Sequence, residues 1–81
     1  MASPRISLEQ WRALVTVVDA GGYAQAAEAL NKTQSTLTYA VKKLESLLGV
    51  DVFVLQGRKA QLTPTGHVLY RRGRALLAEA A

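Results

Sequence analysis

The stretch YAQAAEALNKTQSTLTYAVKKLESLL, Tyr23–Leu48, holds two amphipathic helices separated by a connection too short to let them part. Tyr23, Ala27 and Leu30 recur at helical spacing, so the spacing predicts a short helix over Tyr23–Leu30, and the small Ala26 and Ala27 invite close contact with a neighbouring helix. Asn31 and Lys32 make a tight connection. Thr33 can cap through its hydroxyl, and Gln34–Leu48 reads as a second helix stopped by Gly49. Two helices joined by about three residues form a helix-turn-helix pattern. At about 100° per residue, Leu37, Ala40, Val41, Leu44, Leu47 and Leu48 gather on one arc of the longer helix, with Ser35, Thr38, Tyr39, Lys42 and Ser46 opposite. The opposite face carries uncharged hydrogen-bonding groups and a cation. That suits base edges and phosphates in a major groove, and it equally fits a plain solvated exterior.

Working outward, Leu8, Trp11, Leu14, Val15 and Val18 predict a preceding helix, with Ser7 and Gln10 spaced as a capping box and Gly21–Gly22 ending it. On the other side, the periodicity changes after Gly49. Val52–Leu55 reads as a strand, Gln56–Lys59 as a basic turn and Ala60–Leu62 as a returning strand, which together make a small wing. Thr63 before Pro64 is a helix start, and a last helix is expected to run to Ala81. The expected fold is therefore mainly α. Residues 1–63 form a winged helix-turn-helix of three helices and a two-stranded wing, and residues 64–81 a linker helix that looks cut before a further domain.

The 81 residues carry ten Lys and Arg against six Asp and Glu, a formal charge of +4 that fits an acidic partner, most simply nucleic acid. With no cysteine there are no disulfides and no thiolate metal site, so stability must come from helix packing or a partner subunit. Met1–Ser7 lacks the apolar run of a signal peptide, and the longest uncharged stretch, Ala60–Tyr70, is too short to cross a bilayer; a cytoplasmic location is expected. His67 is the single histidine and is expected to line helix packing. The acids are scattered and no Walker-type glycine loop is present, so neither enzymatic activity nor a metal or cofactor is expected.

Ala26-Ala27-x-x-Leu30, Gln34-Ser35-x-Leu37-Thr38, Leu44-Glu45-x-x-Leu48-Gly49-Val50-x-Val52-Phe53, Arg58 and Leu62-Thr63-x-x-Gly66 occur in order and with matching gaps. Over roughly Arg5–Ala81 the chain thereby resembles the N-terminal DNA-binding domain of LysR-type bacterial transcriptional regulators. The resemblance implies sequence-specific binding to double-stranded DNA by a homodimer, with room for a tetramer in a longer protein. It also implies a nucleoid location and a C-terminal effector domain. It puts the DNA contacts on Thr33, Gln34, Ser35, Thr38, Tyr39 and Lys42, with Arg58 and Lys59 in the wing. Three positions depart from the usual pattern: Ser35 where proline is common, and Tyr39 and Leu55 where arginine is.

Gln34 can pair with adenine through two hydrogen bonds, and Thr38 can combine a hydroxyl bond with a thymine methyl contact. A phenol has no two-pronged donor, so Tyr39 reads either as a phosphate or sugar contact or as a partly packed aromatic. Lys43 reads as solvated. Arg58 suits a narrow minor groove or a phosphate. In the last helix Gly66, Leu69, Gly73, Leu76 and Ala80 make a narrow stripe expected to dimerise with a second copy of the helix, the alternative being packing on the chain's own first helix. Arg71, Arg72 and Arg74 lie off that stripe and read as solvated. The competing function is a winged-helix module that binds protein rather than DNA.

Overall fold

The starts of the first, third and fourth helices and the ends of the first three each close on a local hydrogen bond. In the computed structural model, which describes residues 6–57 and 59–80, α1 runs Leu8–Ala20 behind the expected capping box. The Gln10 N–H donates to Ser7 Oγ at 3.2 Å and the Ser7 N–H to Gln10 Oε1 at 2.7 Å. Gly21 ends the helix at φ +94°, a conformation glycine takes without a Cβ penalty. α2 (Tyr23–Leu30) closes on Asn31 in the left-handed region, and α3 (Gln34–Leu48) starts at Thr33, whose hydroxyl accepts the Thr36 N–H at 3.2 Å. These boundaries match the expected ones.

The wing is a two-stranded antiparallel sheet of β1 (Phe53–Gln56) and β2 (Lys59–Leu62), with Phe53 opposite Leu62 and Leu55 opposite Ala60. β1 begins one residue later than expected. Val52 donates its N–H to Glu45 and its carbonyl accepts the Thr63 N–H at 2.9 Å, so its backbone is already used and Phe53 opens the ladder. α4 (Pro64–Ala80) is capped by Thr63, whose hydroxyl accepts the Gly66 N–H at 2.9 Å and donates to the Asp51 carbonyl at 2.6 Å; Ala81 lies outside the described residues.

α1 is the shared wall of two clusters. Ala13 and Val17 pack with Ala26, Ala27, Leu37 and Val41, which seats α2 and the first half of α3. Trp11 and Leu14 pack with Leu44 and Val52, where Leu62, Leu69 and Leu76 bring in the wing and α4. α4 therefore belongs to the same packed unit as the helix-turn-helix. Tyr23 joins the wing to α2: its ring meets Phe53 edge to face, centroids 6.0 Å apart.

Burial, and then the nearby Glu45 charge, push the Tyr23 phenol from 10.0 up to about 12. The folded chain thus holds this proton more tightly than the unfolded one. Its contribution to stability is complete below pH 10.0 and drains away as pH climbs towards 12. Tyr23→Phe should lose less stability than the parent over that window. Urea midpoints on both sides of it decide the matter, and parallel losses would remove Tyr23 as a cause.

Candidate nucleic-acid interface

The packing that buries Leu37, Val41 and Leu44 turns the other face of α3 outward. Gln34, Ser35, Thr38, Tyr39 and Lys42 are all exposed and span an arc of about 140° at 100° per residue. Tyr39 is 69% exposed, which excludes the reading of a partly packed aromatic. Thr33 is exposed just before the first turn, but its hydroxyl is engaged by Thr36, through the cap and a 2.8 Å contact between the two hydroxyls. The face is a row of side-chain amide, hydroxyl, phenol and ammonium groups, and these are the donors and acceptors that base edges and phosphates match. Lys43 is also exposed.

On the wing, Lys59 is exposed opposite Gln56, on the face that also carries Val54 and Gln61. Arg58 lies outside the described residues. The start of the wing is tied to α3 by Glu45, a residue of the Leu44-Glu45-x-x-Leu48-Gly49 motif to which the sequence assigns no role of its own. Glu45 is buried, and its Oε2 accepts the N–H groups of Val52 at 2.7 Å and Phe53 at 3.3 Å. Its own carbonyl accepts the Val50 N–H at 3.1 Å, so one residue closes α3 and anchors the strand that follows. The wheel gave no signal of this burial, since Glu45 falls between the exposed Gln34 and Thr38; the available signal was its place in the Leu44-Glu45-x-x-Leu48-Gly49 motif.

α4 differs from expectation in three respects. Gly66 and Gly73 are buried, and the close approaches they permit are to the chain itself: a Cβ on Gly66 would meet the Val52 carbonyl oxygen at 2.3 Å, and one on Gly73 would meet Trp11 and Val15 at 3.0 Å. Leu69 and Leu76 are half-buried against the Trp11 cluster, and Ala80 is exposed. Packing within the chain accounts for both glycines: Gly73 lies on the first helix and Gly66 on the wing base. Secondly, His67 is exposed rather than packed, at the rim of a cleft between the wing and the α1–α2 elbow. Thirdly, Arg74 is not simply solvated: its guanidinium sits 5.8 Å from the centre of the Tyr70 ring. The Tyr70 hydroxyl donates to the Asp19 carboxylate, which raises the phenol's pKa and ties α4 to the end of α1.

Known proteins share both sequence and shape. A probable RuBisCO transcriptional regulator of Cyanophora paradoxa is 39% identical over 72 residues, covering 89% of this chain and 22% of that protein. The chain thus spans about a quarter or less of the length of such relatives. A C206S mutant of OxyR from Corynebacterium glutamicum, solved with hydrogen peroxide bound, superposes with a TM-score of 0.90 at 32% identity over 98% of this chain and 24% of its own. The DNA-binding domain of BenM, solved in complex with catB site 1 DNA, gives a TM-score of 0.86 at 30% identity, covering 91% of this chain and 83% of that one. The model for bacterial regulatory helix-turn-helix proteins of the lysR family matches residues 8–67, from the first turn of α1 through the helix-turn-helix and wing to the start of α4, and the chain belongs to that family.

Proposed function

We propose that this chain binds double-stranded DNA sequence-specifically as the DNA-binding portion of a LysR-family transcription regulator. α3 enters the major groove and the wing lies along the flanking minor groove. The observation that carries the reading is the outward arc of α3, where Gln34, Ser35, Thr38, Tyr39 and Lys42 stand free of the core beside the wing. Gln34 and Thr38 read base edges. Ser35 and Tyr39 contact phosphate or sugar, Lys42 and the wing cations Arg58 and Lys59 hold phosphates, and Thr33 serves mainly to fix the start of α3. Enzymatic chemistry has no part in this role, and the named relatives are transcriptional regulators.

Two copies joined through α4 present their α3 helices about 34 to 36 Å apart, one turn of duplex, so the target has dyad symmetry. Support comes from the part of α4 left open beside the intramolecular stripe. Val68 is 54% exposed and, with Leu69, Leu76 and Arg72, borders a cleft floored by Ile6, Trp11 and Leu48. Residues 64–81 thus link and dimerise while residues 1–63 read DNA, and a longer regulator can assemble further, to a tetramer. No described helix is long and apolar enough to cross a membrane, and action on the nucleoid in the cytoplasm fits the role.

Selection of duplexes from a random pool at about 150 mM salt, followed by sequencing, tests the reading. A dyad with half-sites one turn apart is expected. No enrichment by protein shown to be folded and dimeric overturns it. With about seven phosphates neutralised by a dimer, the logarithmic salt slope should be near −6. On the selected site, Gln34→Ala and Thr38→Ala should each cost about 1–3 kcal/mol of discrimination, whereas Lys42→Ala should weaken cognate and random DNA alike. Equal loss on both duplexes for Thr38→Ala removes it from base readout.

A further inference from the structure

Glu45, 8% exposed, carries the one charge buried among the described residues, and its two carboxylate oxygens have different work. Oε2 takes both backbone N–H groups at the start of the wing, Val52 at 2.7 Å and Phe53 at 3.3 Å. That duty needs no charge, because the carbonyl oxygen of a glutamine accepts the same two bonds. Oε1 instead faces Lys42 Nζ at 3.6 Å, one turn back along α3, and the Lys42 side chain is 72% exposed. A glutamine cannot do this as well, because its other arm is an NH2 group that donates and carries no negative charge. The lysine on the outward arc therefore already has a carboxylate oxygen where a duplex would offer it a phosphate oxygen.

We propose that Glu45 is a positioning residue for DNA binding: Oε2 locks the wing to α3, and Oε1 holds Lys42 in an internal ion pair that a phosphate must displace. The proposal rests on the reading of Lys42 as a phosphate contact given above. A lysine that stays with its carboxylate releases no counterion from the duplex, so Lys42 shared between Glu45 and a phosphate counts as a fraction of one contact. Lys42 then adds less than a full phosphate contact to sequence-independent binding. The pair restrains the grip on random DNA without touching the base-reading residues at the other end of α3.

Anisotropy titrations of a random-sequence duplex with the 81-residue chain, across a salt series, test this in the parent, Lys42→Ala, Glu45→Gln and the double variant. Glu45→Gln should melt close to the parent, because its amide keeps both N–H bonds, while Glu45→Ala should melt well below it. The Glu45→Gln slope should steepen by up to about 0.9 per chain, and Lys42→Ala should cancel the increase. Steepening that persists without Lys42 is a through-space effect of the lost charge and overturns the ion-pair claim. So does an equal effect of Lys42→Ala with Glu45 or Gln at position 45, which leaves Lys42 as a phosphate contact that nothing restrains. Lys42→Ala without effect in either background removes Lys42 from the phosphate contacts, and the proposal with it. Glu45→Gln melting as low as Glu45→Ala overturns the anchoring role.

Discussion

Gly66→Ala is expected to lower the melting temperature by at least about 10 °C, although alanine is the better helix former by about 1 kcal/mol. The reason is the floor beneath it. The new Cβ would lie 2.3 Å from the Val52 carbonyl oxygen, 3.1 Å from its carbon and 2.9 Å from Leu62 Cδ2. A side-chain tip can rotate away, but this carbonyl is held. It accepts the Thr63 N–H at 2.9 Å and stands 3.3 Å from the Thr63 hydroxyl, which caps α4. Relief requires moving α4 off the wing base, so the overpacking cost of about 1–3 kcal/mol is exceeded. Gly73→Ala is the internal control. Its Cβ meets only side-chain atoms, Trp11 Cε3 and Val15 Cγ2 at 3.0 Å, which can give by a few tenths of an ångström, so its loss should be less than half as large. Thermal unfolding followed by circular dichroism measures both. A Gly66→Ala variant melting at or above the parent refutes the close packing of α4 on the wing.

Leu44→Ala should cost about 2–5 kcal/mol, against a total of about 4–12 kcal/mol for a domain of this length. Leu44 is 0% exposed and lies in the cluster of Trp11, Leu14 and Val52, where α1, α3, the wing base and α4 meet. No single element can shift to refill the hole, because each is held by other contacts: Val52 by Glu45, and α4 by Gly66 and Gly73. Tyr39→Ala, on the same helix but facing out, should change stability by no more than about 0.5 kcal/mol. Urea unfolding compares the two. A Leu44→Ala loss below about 1 kcal/mol would show that the cavity collapses and that the junction is looser than its burial indicates. A large Tyr39→Ala loss would show that the phenol packs on the core after all.

The helices and their ends were legible in the sequence because the groups that close them lie within a few residues. Ser7 reaches Gln10, Thr33 reaches Thr36, and Gly21 and Gly49 turn left-handed where the apolar spacing stops. The outward arc of α3 followed from the same arithmetic, since a helix with one apolar side must turn the other away. The strand that begins at Phe53 instead of Val52, the partner of the α4 stripe, the exposed His67 and the buried Glu45 did not follow. Each depends on how one element is placed against another, and a local pattern carries no record of it. On the helix wheel Glu45 sits beside the polar residues, and it is buried only because residues 50–53 fold back across the end of α3 and bring two N–H groups to its carboxylate. Gly66 and Gly73 indicate only that some backbone or side chain comes close. Gly66 meets the wing base and Gly73 the first helix because of how α4 leaves the wing, and Thr63 sets that exit by bonding to Asp51 and Val52. The elements and the candidate contact face thus belong to the sequence by itself, because local hydrogen bonds and periodicity specify them. The wing's hold on α3, and what α4 packs against, belong to the tertiary structure, because long-range packing decides which of several locally equivalent arrangements buries the most while leaving no described polar side-chain atom buried without a partner.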